Sequence, residues 1–259
     1  MNDRWLLRLQ QNPDPELRLF CLPYAGGSAS VYRQWHRLVP SGIEICAVEL
    51  PGRGRRMGEP AFQFLAPLVR ALAGAIEPVL DRPFALFGHS MGGLIAFELA
   101  RWLQELGGPQ PRRLFVSATS APGPRLADPP VHHASDAEVR NRLRSLNGTP
   151  RELLEDDELM DLMIPIVRTD FSVVETHEHG AGLPLDVPIT VFGGLDDRTV
   201  RPAALAGWRA QSTAGSRLRL FPGDHFFLHA AAADIVSTIM EDLDLGVPVA
   251  GSLAEVAIG

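Results

Sequence analysis

The sequence contains no lysine; all 24 of its basic residues are arginine. That absence excludes Schiff-base lysine chemistry and the lysine of a P-loop, both of which need an amine. A GC-rich coding genome favours arginine over lysine, so the bias needs no functional cause. Cysteine is scarce too: Cys21 and Cys46 each sit inside an apolar run. A chain of 259 residues buries roughly three quarters of its unfolded surface and needs no disulfide staple, so both thiols read as buried and reduced. No apolar run reaches the length of about 18 residues that a membrane span requires. Arginines also break the N-terminal stretch Met1–Pro15, which lacks the continuous apolar core of a signal peptide. A cytoplasmic protein without membrane association is expected. Basic residues are outnumbered by 31 acidic ones, and a net charge of −7 argues against a nucleic-acid partner. What is present is ordinary globular composition, 46% hydrophobic and 21% charged, which rules out a disordered, collagen-like or coiled-coil chain.

Short apolar runs alternate with longer amphipathic stretches. Leu17–Pro23, Ile43–Leu50, Pro83–Gly88, Arg113–Ala118, Val187–Phe192 and Ser216–Phe221 read as strands. Several are apolar on both faces of the pleat, as strands covered on both sides must be. Helical patterns fall at Ser30–Val39, Phe62–Leu80, Met91–Leu106, Ala203–Gln211 and Ala230–Leu243. Such alternation predicts an α/β fold, a mostly parallel central sheet with helices on both faces. From about Ser120 to Leu185 the rhythm stops. A proline-rich entry leads into helical text with Ser135 and Thr149 as expected N-caps, Thr149 followed by Pro150 at the first helical position. A helical insertion of this kind is commonly a lid over an active site, with Leu153, Leu154, Leu162, Met163 and Phe171 expected to face inward. Residues 1–245 are expected to form one domain, lid included, with 246–259 as a disordered tail.

The strongest local signal is Gly88-His89-Ser90-Met91-Gly92, a G-x-S-x-G between an apolar strand and a helix. The turn is so tight that the positions of Gly88 and Gly92 tolerate no side chain, and it pushes Ser90 out over the carboxyl edge of the sheet. Ser90 is the expected nucleophile. In this architecture the acid and then the histidine follow along the chain. Of eight histidines, His225 lies in the loop after the last strand, where Pro222-Gly223 can swing an imidazole toward Ser90. The penultimate strand is followed by Asp196 and Asp197. Adjacent residues in a turn point differently, so one of the two orients His225; the spacing Gly194-x-x-Asp197-x-x-Val200 favours Asp197 and leaves Asp196 as the alternative. Two backbone N–H groups should form the oxyanion hole: Met91, directly after the nucleophile, and Ala25, in the glycine-rich loop after the first long strand.

The segments LPYAGGSASVYRQW, ELPGRGRRMGEP, FALFGHSMGGLIAFELA, FGGLDD and PGDHFFL together resemble the type II thioesterases, in order from Leu17 to about Leu243. These are stand-alone α/β-hydrolases that accompany polyketide synthases and nonribosomal peptide synthetases. The resemblance implies hydrolysis of stalled or mis-primed acyl and aminoacyl thioesters on the phosphopantetheine arm of acyl or peptidyl carrier proteins, without cofactor or metal. It also places the acid at Asp197 and a mobile lid at Ser120–Leu185. Tyr24 stands where some relatives carry histidine. A carboxylesterase or lipase with the same triad is the alternative enzyme, and a catalytically silent binding module the non-enzyme reading. A monomer is expected. Since carrier proteins are usually acidic and this chain is too, docking is expected to use a local patch, chiefly Arg53, Arg55 and Arg56.

Overall fold

All six expected strands form, and they assemble into one sheet. The structure is a computed structural model and describes residues 4–123, 130–179 and 182–245; the expected tail, 246–259, lies outside the described residues. The strands are β1 (Leu6–Leu7), β2 (Leu17–Leu22), β3 (Ile43–Val48), β4 (Phe84–His89), β5 (Leu114–Ser117), β6 (Ile189–Gly194) and β7 (Ser216–Phe221), in the spatial order β1-β3-β2-β4-β5-β6-β7. β2 to β7 run parallel, while β1 pairs antiparallel with β3, Leu6 opposite Val48. β1 went unread because two residues are too short to display a period.

The strand order reverses between β2 and β4. The chain leaves β2 to build outward through β3, then returns to β4 on the other side. Loops after β2 and β4 therefore diverge at the carboxyl edge and open a crevice there, the usual ligand position in such sheets. Alternate residues on the strands feed two cores. Phe20, Leu22, Leu86, Val116 and Val191 pack on one face with α1 (Leu65–Ile76) and α2 (Met91–Glu105). Leu19, Cys21, Phe87, Phe115 and Phe192 pack on the other with α8 (Ala232–Asp242). Both cysteines are free and buried, and burial pushes the Cys21 thiol well above its ordinary range.

Several boundaries differ from expectation. Ser30–Val39 forms two short 3₁₀ turns, Ala29–Tyr32 and Trp35–Arg37, because Tyr32 and Trp35 enter the core at a spacing of three, the period of a 3₁₀ helix. Ala203–Gln211 splits into the helix α6 (Pro202–Leu205) and a 3₁₀ stretch, and the last helix is preceded by a separate turn, α7 (Phe227–Ala230). The insertion between β5 and β6 carries α3 (Asp136–Leu146), α4 (Arg151–Leu154) and α5 (Asp157–Glu175). Ser135 caps α3 in a reciprocal capping box with Glu138. Thr149 is not a cap; α4 starts one residue later than expected, with Pro150 in the cap position. Of the residues expected to face inward, Leu154 is buried, Leu153, Met163 and Phe171 are half-buried, and Leu162 is 70% exposed. The buried stripe of α5 is Met160, Ile164 and Val167, and Leu162 sits off it by about half a helical turn.

Candidate active site

The turn at Ser90 is held by steric exclusion. A Cβ at Gly88 would collide with the backbone of Gly92 and Gly93, and one at Gly92 with the carbonyl of Leu22. With both positions bare, β4 runs straight into α2 and leaves Ser90 at φ 54° and ψ −118°. That conformation is strained for a residue with a side chain, by about 1–3 kcal/mol, and is retained because its surroundings over-determine it. Ser90 N–H donates to the Ser117 carbonyl at 2.7 Å, and the Ser90 carbonyl accepts from Thr119 Oγ1 at 2.7 Å and from Gly93 N–H at 2.9 Å.

His225 comes over the sheet edge from the loop after β7, where Gly223 takes φ +116°. Its Nε2 lies 3.1 Å from Ser90 Oγ, and its Nδ1 lies 2.8 Å from Asp197 Oδ2. The other Asp197 oxygen accepts from the amides of Thr199 at 2.7 Å and Val200 at 3.0 Å. Asp196 is exposed and touches this chain of groups with neither oxygen. Burial opposes the charge on Asp197, but the His225 hydrogen bond and charge, with the two amides, outweigh it and hold the carboxyl below its usual range. An ionised carboxylate only accepts, so the His225 proton sits on Nδ1. In the neutral form of the ring, Nε2 keeps its lone pair toward the Ser90 hydroxyl, which then donates to it.

His89 is a residue whose part the sequence did not disclose. It is fully buried, with Nε2 2.8 Å from the His225 carbonyl and Nδ1 2.8 Å from Ser117 Oγ. A carbonyl can only accept, so Nε2 carries the proton and Nδ1 accepts from the Ser117 hydroxyl. Burial, with the nearby His225, pushes its pKa well below the ordinary range and keeps the ring neutral. The imidazole next to Ser90 thereby pins the backbone of His225. At a strand end no periodicity marks such a role; the only signal was a histidine in an otherwise apolar run.

The loop Tyr24–Gly27 lies across the crevice. Gly27 N–H donates to the Tyr24 carbonyl at 2.9 Å, closing a turn with Gly26 at φ +77°, and Gly26 N–H donates to Asp170 of α5 at 2.7 Å. Among the described residues, the amides of Ala25 and Met91 have no protein acceptor. A cavity of about 300 Å³ opens beside Asp197 and His225, between Ser145–Asn147 at the end of α3 and the loop Asp196–Thr199.

The expected arginine patch does not exist. Arg53 and Arg56 are buried, Arg53 against Asp170 and the Gly27 carbonyl, Arg56 against Glu59 and the Glu49 carbonyl and over the Trp5 ring. Only Arg55 is exposed, and it donates to the Leu6 carbonyl. Their aliphatic stems and fixed donors serve loop packing, which a run of charges in sequence cannot reveal.

Among the described residues, Glu98, His177 and His179 are the one group whose ligand atoms converge as a metal site requires. Both Glu98 oxygens already meet Arg101 Nη1, at 3.3 and 3.4 Å, so the donor set fits an ion-pair cluster rather than a metal. It lies about two turns along α2 from Ser90 and ties the chain after α5 to that helix.

Comparison with known proteins agrees with this geometry. The thioesterase domain family matches residues 17–243. The chain is 41% identical over 245 residues to linear gramicidin dehydrogenase LgrE of Brevibacillus parabrevis, covering 93% of this chain and 92% of that protein. It is 39% identical over 243 residues to the gramicidin S biosynthesis protein GrsT of Aneurinibacillus migulanus, covering 94% and 95%. Among solved structures, the type II thioesterase BorB from the borrelidin biosynthetic cluster superposes with a TM-score of 0.85 at 34% identity, covering 94% of this chain and 99% of that one. No helix of the described residues is long and apolar enough to cross a membrane. A seven-stranded α/β-hydrolase sheet, matched over nearly its whole length by these relatives, makes this chain a member of the thioesterase domain family and a hydrolase of thioesters.

Proposed function

We propose that Ser90, His225 and Asp197 are the nucleophile, general base and orienting acid of a stand-alone type II thioesterase. Its substrates would be aberrant or stalled acyl and aminoacyl groups on the phosphopantetheine arm of carrier proteins in polyketide or nonribosomal peptide synthesis. One observation carries the reading: the unbroken hydrogen-bond chain Asp197–His225–Ser90 at the crevice of a thioesterase-family sheet.

In this mechanism Ser90 Oγ attacks the thioester carbonyl while His225 Nε2 takes its proton. Asp197 holds the reactive tautomer and stabilises the imidazolium, without itself being protonated. The developing oxyanion is met by the N–H groups of Ala25 and Met91, neither of which has a protein acceptor among the described residues. Collapse expels the pantetheine thiol, which receives the proton from His225, and leaves an ester on Ser90. Water, deprotonated by His225, then attacks that ester and frees the acid and the serine. Every proton passes through His225, so the cycle calls on no cofactor. Residues 1–245 would act as one domain, with α3 to α5 as a lid. The free, buried cysteines suit a reducing cytoplasm, and a monomer suffices, because each residue named comes from one chain.

The test is hydrolysis of acyl-loaded carrier proteins against the matched oxygen ester. Preference for the thioester, abolished in Ser90→Ala, is the expected result. Equal or better turnover of the oxygen ester would favour a carboxylesterase, and turnover surviving Ser90→Ala would overturn the assignment of the nucleophile.

A further inference from the structure

One carboxylate on the insertion reaches the loop that faces Ser90. Asp170 of α5 is buried, with its side chain 3% exposed. Its Oδ2 accepts from Gly26 N–H at 2.7 Å and from Arg53 Nη1 at 2.7 Å, and its Oδ1 accepts from Arg53 Nη2 at 2.6 Å. Arg53 Nη1 also donates to the Gly27 carbonyl at 3.0 Å. Two backbone groups of the Tyr24–Gly27 turn thus end on a buried ion pair, one half of which belongs to the insertion. Val167, one turn earlier on α5, packs against the same place, 3.1 Å from where a Cβ of Gly26 would stand.

Glycine at position 26 leaves this turn underdetermined. Without a side chain, the residue adopts positive and negative φ with similar ease, and the Ala25–Gly26 peptide can flip between the two common turn types. A fixed acceptor for Gly26 N–H selects one orientation of that peptide. Held at Gly26 N–H by Asp170 and at the Gly27 carbonyl by Arg53, the turn is anchored as a unit, and the Ala25 amide one residue earlier is held with it. Arg53 cannot do this alone, because a guanidinium only donates, and without Asp170 it would be a buried charge without a counter-ion.

We infer that Asp170 is a positioning residue for the oxyanion hole: it holds the Tyr24–Gly27 turn so that the Ala25 amide faces Ser90, and it does so only while α5 is seated. The inference rests on the proposed Ser90 mechanism. It ties hydrolysis to the position of the insertion, because lifting α5 would remove the acceptor of Gly26 and leave Arg53 unpaired in one movement. The active geometry is therefore completed from above the crevice as well as from the sheet.

The experiment uses the full chain, a small free acyl thioester, and an alkylboronic acid that forms a tetrahedral adduct on the serine. Asp170→Ala is expected to lower kcat about 10- to 100-fold, somewhat less than removal of an oxyanion donor itself. KM should stay within about threefold, and boronic acid affinity should fall by the same factor as kcat, since both depend on the hole. Asp170→Asn keeps an acceptor for Gly26 but not the charge for Arg53, so a smaller loss is expected; it also decides the matter if the alanine variant fails to fold. Asp136→Asn, which breaks an exposed ion pair elsewhere on the insertion, should leave all three quantities unchanged. Retention of kcat within twofold in both Asp170 variants would overturn the inference, as would a kcat loss with undiminished boronic acid affinity, the result of a merely structural role. If Ser90→Ala abolishes turnover while the Asp170 variants behave as the parent, this inference alone fails. If Ser90→Ala remains active, the mechanism beneath it fails.

Discussion

The elbow at Ser90 and the helical insertion above it are attached to the sheet by opposite means. The elbow is part of the frame: Met91, Leu94 and Ile95 enter the main core, and the turn between Gly88 and Gly92 leaves no room for even a methyl group. The insertion has its own small cluster, Val139, Leu143, Leu154, Met160, Ile164 and Val167, while Val173 and Val174 near the end of α5 and Ala121 at the insertion's start pack with the sheet's core. It meets the loops around the site through Val167 against Gly26 and through polar contacts, Asp170 on Arg53 and Gly26, and Asn147 on Asp224 at 2.8 Å. Close packing admits one arrangement, whereas a few buried hydrogen bonds can be exchanged for water at modest net cost. The comparison teaches that the turn at Ser90 is fixed by close packing, whereas the insertion is joined to the rest of the molecule largely through its own cluster and a few polar contacts.

The largest expected effect tests the rigid half. Ser90→Ala should reduce turnover of an acyl-carrier thioester by at least about 10⁴-fold while the thermal unfolding curve is kept, since no packing group is lost. Next come the two aspartates. Asp197→Asn should cost about 10²- to 10⁴-fold in kcat by presenting the wrong tautomer of His225, and Asp196→Asn less than twofold. The reverse ordering in steady-state assays would move the orienting role to the exposed neighbour.

Stability should divide the two regions in the same direction. Phe87→Ala, in the core under β4, should cost about 3–5 kcal/mol in chemical denaturation. Leu162→Ala, on the exposed side of α5, should stay within about 0.5 kcal/mol. A large loss for Leu162 would show that the insertion packs on something through that face. The smallest effect concerns the seam where the insertion ends. Burial alone would raise the Glu98 pKa, but the hydrogen bond from His177, the neighbouring His179 and the charge of Arg101 bring it down to about 2. A depressed carboxylate contributes stability that is present above its unfolded value, 4.5, and is lost as the pH falls toward 2. The difference in stability between the parent and Glu98→Gln should therefore shrink over that window, and a difference independent of pH would exclude the ion pair as its cause.

Whatever could be read from local pattern was legible in advance. Strand periodicity located β2 to β7, the glycines around Ser90 marked the elbow, and the order serine, aspartate, histidine singled out the groups that meet at 3.1 and 2.8 Å. The strands and the elbow are set by neighbours within a few residues, since the pleat alternates by two and a turn without room for Cβ must be glycine, while the order of the three groups follows from the architecture. The preference for Asp197 over Asp196 rests on its spacing to Val200, and in the structure it is the Asp197 carboxylate that meets His225 Nδ1 and the amides of Thr199 and Val200.

Tertiary structure alone decided the rest. It turned Arg53 and Arg56 inward, although a run of arginines in a loop reads as a solvated patch. It gave His89 the carbonyl of a residue 136 positions away, and Gly26 a carboxylate 144 positions away. A buried charge or imidazole is tolerated only where its partners converge in space. Those partners are delivered by the loop after β7 at the carboxyl edge of the sheet and by α5 packed over the Tyr24–Gly27 turn, which no short stretch of chain encodes by itself.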